Sequence, residues 1–156
     1  MTERDNAASQ RDGPDVAPLA LLLENDLFFV VKVRDTLKRL GYRMYTARTL
    51  ADFQQRAQAS GDDRPALALV NISARGIAWE EAIRAAREAG APVVAYGSHV
   101  DVAAQEAARQ AGATSVIANS KLASDLPGVI TRALQRAPTL AYTETQTSIN
   151  RTTEEE

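Results

Sequence analysis

The sequence predicts a doubly wound α/β domain of (βα)₅ type, a five-stranded parallel sheet held between two helical layers. Three observations predict it. Short apolar runs alternate with amphipathic stretches five times between residues 17 and 137. The runs are unbroken rather than alternating, as strands are when helices cover both faces of a sheet. Most amphipathic stretches have a capping residue in front, and several have a glycine behind. Right-handed crossovers between parallel strands then place helices on both faces, giving three layers.

Ala17–Leu23 is the first strand, and Asn25 or Asp26 caps the helix that follows. Val30, Val33, Leu37 and Leu40 form the buried stripe of that helix, with Lys38 and Arg39 outside and Gly41 as stop. Tyr42–Ala47 is the second strand, and Thr49 caps a helix ending near Ser60-Gly61. Pro65 opens the third strand, Ala66-Leu67-Ala68-Leu69-Val70. Ile77–Ala89 is the third helix, with Glu80, Glu81, Arg84, Arg87 and Glu88 on its wet side. Pro92–Tyr96 is the fourth strand, and Asp101 caps an alanine-rich helix ending at Gly112. Thr114–Ala118 is the fifth strand. Asp125 caps the last helix, with Pro127 in its first turn, where a missing N–H costs least.

Composition narrows the chemistry. The 156 residues include no cysteine and a single histidine, His99, so thiol catalysis, disulfides, zinc fingers and sites needing two imidazoles are excluded. Apolar residues make up 45%, but aromatics only 5%, so aliphatic side chains and alanine must build the core. No apolar run approaches the ~20 residues of a membrane span, and the polar start is not a signal peptide. The expected location is the cytoplasm. Residues 1–16 carry a net −2 and residues 138–156 a net −3, so with −2 for the whole chain the body between them carries +3. That is too weak a charge to argue for nucleic acid. Both ends read as disordered, the last one rich in Thr and Glu. Thr143, Thr145, Thr147, Ser148, Thr152 and Thr153 are open either to a Ser/Thr kinase or to a purely solubilising role.

In doubly wound sheets the functional crevice lies beyond the carboxyl ends of the strands. The segments there are Glu24-Asn25-Asp26, Ala47-Arg48-Thr49, Asn71-Ile72-Ser73-Ala74-Arg75, Gly97-Ser98-His99 and Asn119-Ser120-Lys121. They contain no glycine-rich phosphate cradle and no nucleophile elbow.

Over residues 17–137 the element order, the element lengths and the Gly112-Ala113 step before the fifth strand resemble the CheY-like receiver domain of bacterial response regulators, a flavodoxin-like fold. The resemblance implies a site. Two acids after the first strand would hold Mg²⁺, an aspartate ending the third strand would accept a phosphoryl group, and a hydroxyl and a lysine after the fourth and fifth strands would contact it. In this sequence the acid pair falls on Glu24 and Asn25, with Asp26 next. The phosphoacceptor falls on Asn71, the hydroxyl on Gly97 with Ser98 beside it, and the lysine on Asn119 with Lys121 two steps on. A carboxamide is no nucleophile toward phosphorus and brings no charge to a metal site. The resemblance therefore implies a pseudo-receiver: no enzyme, no metal, no cofactor, and a phosphorylation-independent module for protein interaction.

Each residue also has a plainer reading. Glu24 and Asp26 are a relic metal site or helix caps. Asn71 mimics a fixed signalling state or closes a turn. Ser98-His99 binds a ligand, senses pH or is simply solvated. Lys121 is a displaced anion ligand or a loop lysine. The expected partner is a protein, docking on helix four (Asp101–Ala111), strand five (Thr114–Ala118) and helix five (Asp125–Leu134), or on the apolar start of helix one. There Phe28, Phe29 and Val31 widen the stripe beyond what one sheet contact needs, which also suits a homodimer. The alternative function is a small-molecule or nucleotide sensor, with Gly97-Ser98 and Asn119-Ser120 lining the crevice.

Overall fold

Residues 16–136 are described by a computed structural model of the chain. The two terminal segments expected to be disordered, the kinase-type serine and threonines among them, lie outside the described residues, apart from Val16. The strands are β1 (Leu19–Leu23), β2 (Arg43–Ala47), β3 (Pro65–Asn71), β4 (Val93–Gly97) and β5 (Ser115–Ala118). The helices are α1 (Leu27–Arg39), α2 (Leu50–Ala57), α3 (Trp79–Glu88), α4 (Val102–Ala111), α5 (Asn119–Ser124) and α6 (Leu126–Arg136), with a 3₁₀ turn at Gly61–Asp63. All strand pairs are parallel, in the order β2-β1-β3-β4-β5. The winding reverses between β1 and β3, the switch point at which open α/β sheets place their crevice.

Successive strand residues point to opposite faces, so each run feeds two cores. Leu21, Leu23, Ala68, Val70, Val93 and Ala95 pack with Phe53 of α2, Ile83 of α3 and Ala108 of α4. Ala20, Leu22, Leu67, Leu69, Val94 and Tyr96 pack with Val30, Val33 and Leu37 of α1 and with Val129 and Ile130 of α6. Both layers are filled mainly by aliphatic side chains and alanine.

The predicted caps form. Asp26 Oδ1 accepts the Phe28 N–H at 3.0 Å, Thr49 Oγ1 the Asp52 N–H at 3.1 Å, Asp101 Oδ1 the Ala104 N–H at 3.0 Å, and Asp125 Oδ1 the Gly128 N–H at 3.3 Å. Gly112 ends α4 at φ +114°, a conformation open to glycine at little cost. Strand ends shift by one or two residues, and four further details differ from the sequence reading. Leu40 is not in the buried stripe: it caps the C-terminus of α1 and is 41% exposed. The second helix stops at Ala57, before the 3₁₀ turn. The third begins at Trp79 rather than Ile77, with no side-chain cap. Asn119-Ser120-Lys121, read as a loop, opens a short helix, Asn119–Ser124. Among the described residues no helix is long and apolar enough to cross a membrane.

Candidate functional site

The parallel register sets three side chains in one row across the switch point. Leu23 pairs with Val70 across β1 and β3, which puts Glu24 beside Asn71, and Asn71 pairs with Tyr96 across β3 and β4. The row faces the α1–α6 layer. Glu24 is 2% exposed, the only buried charged residue among those described. Its Oε1 accepts the Tyr96 hydroxyl at 2.6 Å and one end of the Asn71 carboxamide at 3.0 Å. Its Oε2 accepts the same Asn71 nitrogen at 3.0 Å and the backbone N–H groups of Asn25 at 3.0 Å and Asp26 at 2.9 Å. A carboxylate offers about four lone-pair sites, so Glu24 is saturated by neutral donors.

The amide orientation at Asn71 is fixed from both ends. Its Oδ1 accepts the Ser73 N–H at 2.8 Å while its nitrogen faces Glu24, and a flip would set oxygen against oxygen. The turn-closing reading of Asn71 thus holds for its oxygen, and its nitrogen does something the sequence did not show. Burial, followed by the neighbouring charge of Glu24 and the hydrogen bond to it, pushes the Tyr96 hydroxyl well above its ordinary value, so it stays a donor. The Tyr96 ring lies 5.2 Å from that of Phe29, tilted by 40°.

These residues line a cleft of about 280 Å³ bounded by Glu24, Asp26, Phe29, Asn71, Tyr96 and Asn119. A larger cavity of about 520 Å³ lies at the opposite end of the sheet, between the last turns of α2 and α3, and touches none of these groups. We place the site at the smaller cleft, where the buried charge is.

Of the residues singled out in the sequence, Glu24, Asp26, Asn71 and Asn119 meet at the cleft, and so does Phe29, which packs on the core instead of widening the exposed start of α1. Asn25 contributes its backbone N–H to Glu24 and its side chain is exposed. Lys121 is turned toward α6, 4.0 Å from Asp125. Ser98 lies off the cleft: its N–H donates to Ser73 Oγ at 3.2 Å, and its own Oγ accepts the Val100 N–H at 3.3 Å. Gly97 is packed so closely that a Cβ there would stand 2.7 Å from Ile72 Cγ1 and 2.9 Å from Ser73 Oγ. Tyr96 was missed, because a tyrosine in a strand reads as core. The available signal was parity: two residues after Val94, it shares a sheet face with the crevice end of β3.

No family model and no curated protein matches the sequence. Solved structures do resemble it in shape. A CheY-like response regulator receiver domain from Methanospirillum hungatei matches with a TM-score of 0.67 at 18% identity, over 78% of this chain and 96% of that one. The fold is that of a CheY-like receiver domain. The signal receiver domain of a modulated diguanylate cyclase from Desulfovibrio desulfuricans matches with a TM-score of 0.65 at 22% identity, covering 78% and 96%. A response regulator from Thermotoga maritima matches with a TM-score of 0.62 at 17% identity, covering 77% and 99%.

On this receiver frame the cleft does not fit the Mg²⁺ that the acid pair of a full receiver site would hold. A hard divalent cation wants several oxygen ligands, usually anionic ones. Here Asn71 presents a nitrogen donor toward Glu24, Glu24 is already saturated, and Asp26 Oδ1 is committed to its helix cap. Among the described residues no group of three or more acidic or histidine side chains gathers to hold a metal.

Proposed function

We propose that the chain is a receiver-like signalling module that works without phosphotransfer, a non-enzymatic domain that acts by binding another protein. One observation carries the reading. The Asn71 carboxamide occupies the acceptor position and donates to both oxygens of Glu24, at 3.0 Å each. Nucleophile and metal ligand are thereby replaced by a closed network of neutral donors around one carboxylate. The structural neighbours, receiver domains and a response regulator, support a role in signal transduction.

The nucleotide-sensor alternative gains no support from the cleft. Its lining carries two carboxylates and no basic side chain, which repels phosphate, and the Gly97-Ser98 pair lies off it. Docking on α4, β5 and α6 is supported by exposed apolar groups at the start of α4, with Val100 71% and Val102 69% exposed. Docking at the start of α1 is supported by Phe28, which is 91% exposed.

The test is incubation with acetyl phosphate and Mg²⁺, followed by intact-mass measurement. The expected mass is unchanged. A gain of one phosphoryl group that disappears on substituting Glu24 or Asp26 would overturn the proposal.

A further inference from the structure

The described body is electrically two-sided. α1 carries Lys32, Arg34, Lys38 and Arg39 against Asp35, a net +3, and residues 119–136 add Lys121, Arg132 and Arg136 against Asp125, a net +2. These two segments pack side by side on one face of the sheet. The body as a whole is +3, so everything else in it sums to −2. Arg34 pairs with Asp35 at 3.8 Å and Arg132 with Asp125 at 3.4 Å. Among the described residues, Lys32, Lys38, Arg39 and Arg136 have no carboxylate partner, and all four are exposed. Exposed apolar groups run along the same helices: Leu27, Phe28 and Val31 at the start of α1, then Leu40 and Leu134 near the other end.

We propose that the acidic segment 138–156 of this same chain docks on the basic, apolar-studded face formed by α1 and α6. Three features select this occupant. The first is charge: the segment carries a net −3 and includes Leu140, Tyr142 and Ile149 as apolar anchors. The second is the point of attachment. Both helices follow strands of one parallel sheet and run the same way across it, so Arg136 emerges at the end of the face where Arg39 and Leu40 lie. The third is reach. The 13 residues of α1 span about 20 Å, at ~1.5 Å per residue. An extended chain covers that in about six residues at ~3.3 Å each, and 19 are available. Exposed ion pairs are individually weak, but a tether of this length supplies an effective concentration of about millimolar. A protein that uses the start of α1 would then have to displace the segment.

The chain has no cysteine, so Ser148→Cys accepts a single spin label in the full-length protein. The expected result is paramagnetic broadening of the Leu27–Val31 and α6 amides at low salt, with the α2–α4 face spared. Replacing Glu144, Glu154, Glu155 and Glu156 by Gln gives the tether-only reference, and broadening at Leu27–Val31 should drop to that level. It should also drop in Lys38→Glu/Arg39→Glu, and at about 1 M salt, where the screening length is ~3 Å. Broadening equal on both faces, or unchanged by the glutamine variant, would overturn the proposal. So would broadening transferred to an isotope-labelled second copy on mixing, or broadening produced by a label at Ser9→Cys in place of the one at Ser148→Cys.

Discussion

Replacing Tyr96 by phenylalanine removes one oxygen and leaves the ring in place, still buried and still against Phe29. No cavity forms, so the change isolates the hydroxyl that donates to Glu24 at 2.6 Å. A hydrogen bond to a charged group contributes about 1.5–3 kcal/mol, and here the acceptor is a carboxylate 2% exposed, which water cannot readily re-solvate. The expected loss is about 2 kcal/mol, which for a domain of this size lowers Tm by roughly 8 °C. Urea unfolding followed by circular dichroism measures it, with the slope unchanged and the midpoint shifted. The remaining donors, Asn71 and two backbone N–H groups, keep the fold intact. A variant as stable as the parent, or more stable, would refute the claim that Tyr96 supports a buried charge at Glu24.

Two further outcomes follow from the same geometry. In the folded chain the Tyr96 hydroxyl titrates well above the ordinary tyrosine value of about 10, because burial and then Glu24 favour its neutral form. A raised folded value gives a contribution that is complete below about pH 10, the unfolded value, and is lost as pH climbs beyond it toward the folded one. Stability measured against pH should therefore decline more steeply above about pH 10 in the parent than in Tyr96→Phe. Identical alkaline slopes would contradict this. Gly97→Ser, which restores the hydroxyl expected of a receiver at that position, should destabilise by about 1–3 kcal/mol through overpacking against Ile72 and Ser73. A thermal melt that left the variant unchanged would show that the loop gives way freely.

The fold was legible because each of its signals is local. Unbroken apolar runs marked strands covered on both faces, and Asp26, Thr49, Asp101 and Asp125 marked helix starts within hydrogen-bond reach of their own first turns. Where those signals thin out, boundaries moved. Asn119–Ser124 is a short helix with one buried anchor, Leu122, and no side-chain cap, and Leu40 matches the helical period yet falls just past the last turn. The site was half legible. Glu24 and Asn71 could be placed by counting strand ends, but their hydrogen bond joins residues 47 positions apart and depends on register. Tyr96 is 72 positions from Glu24 and carries no motif; strand parity gives its sheet face, and the Asn71–Tyr96 pairing gives its place beside the site. Gly97 is explained by the close approach of Ile72 and Ser73, a contact invisible in sequence.

Asn71 is proposed to hold Glu24 in a closed network in place of a metal and phosphoacceptor site. Asn71→Asp tests it directly, with Mg²⁺ titrated against Tm in the variant and the parent. The substitution replaces a donor at 3.0 Å from both Glu24 oxygens with a second carboxylate. Two carboxylate charges about 3 Å apart repel by about 5 kcal/mol at an effective dielectric of ~20, a cost met by unfolding or by sharing a proton. The parent should be indifferent to millimolar Mg²⁺, and the variant should be destabilised without the ion and recover most of the loss with it. A parent whose Tm rises with Mg²⁺ as much as the variant's would contradict it.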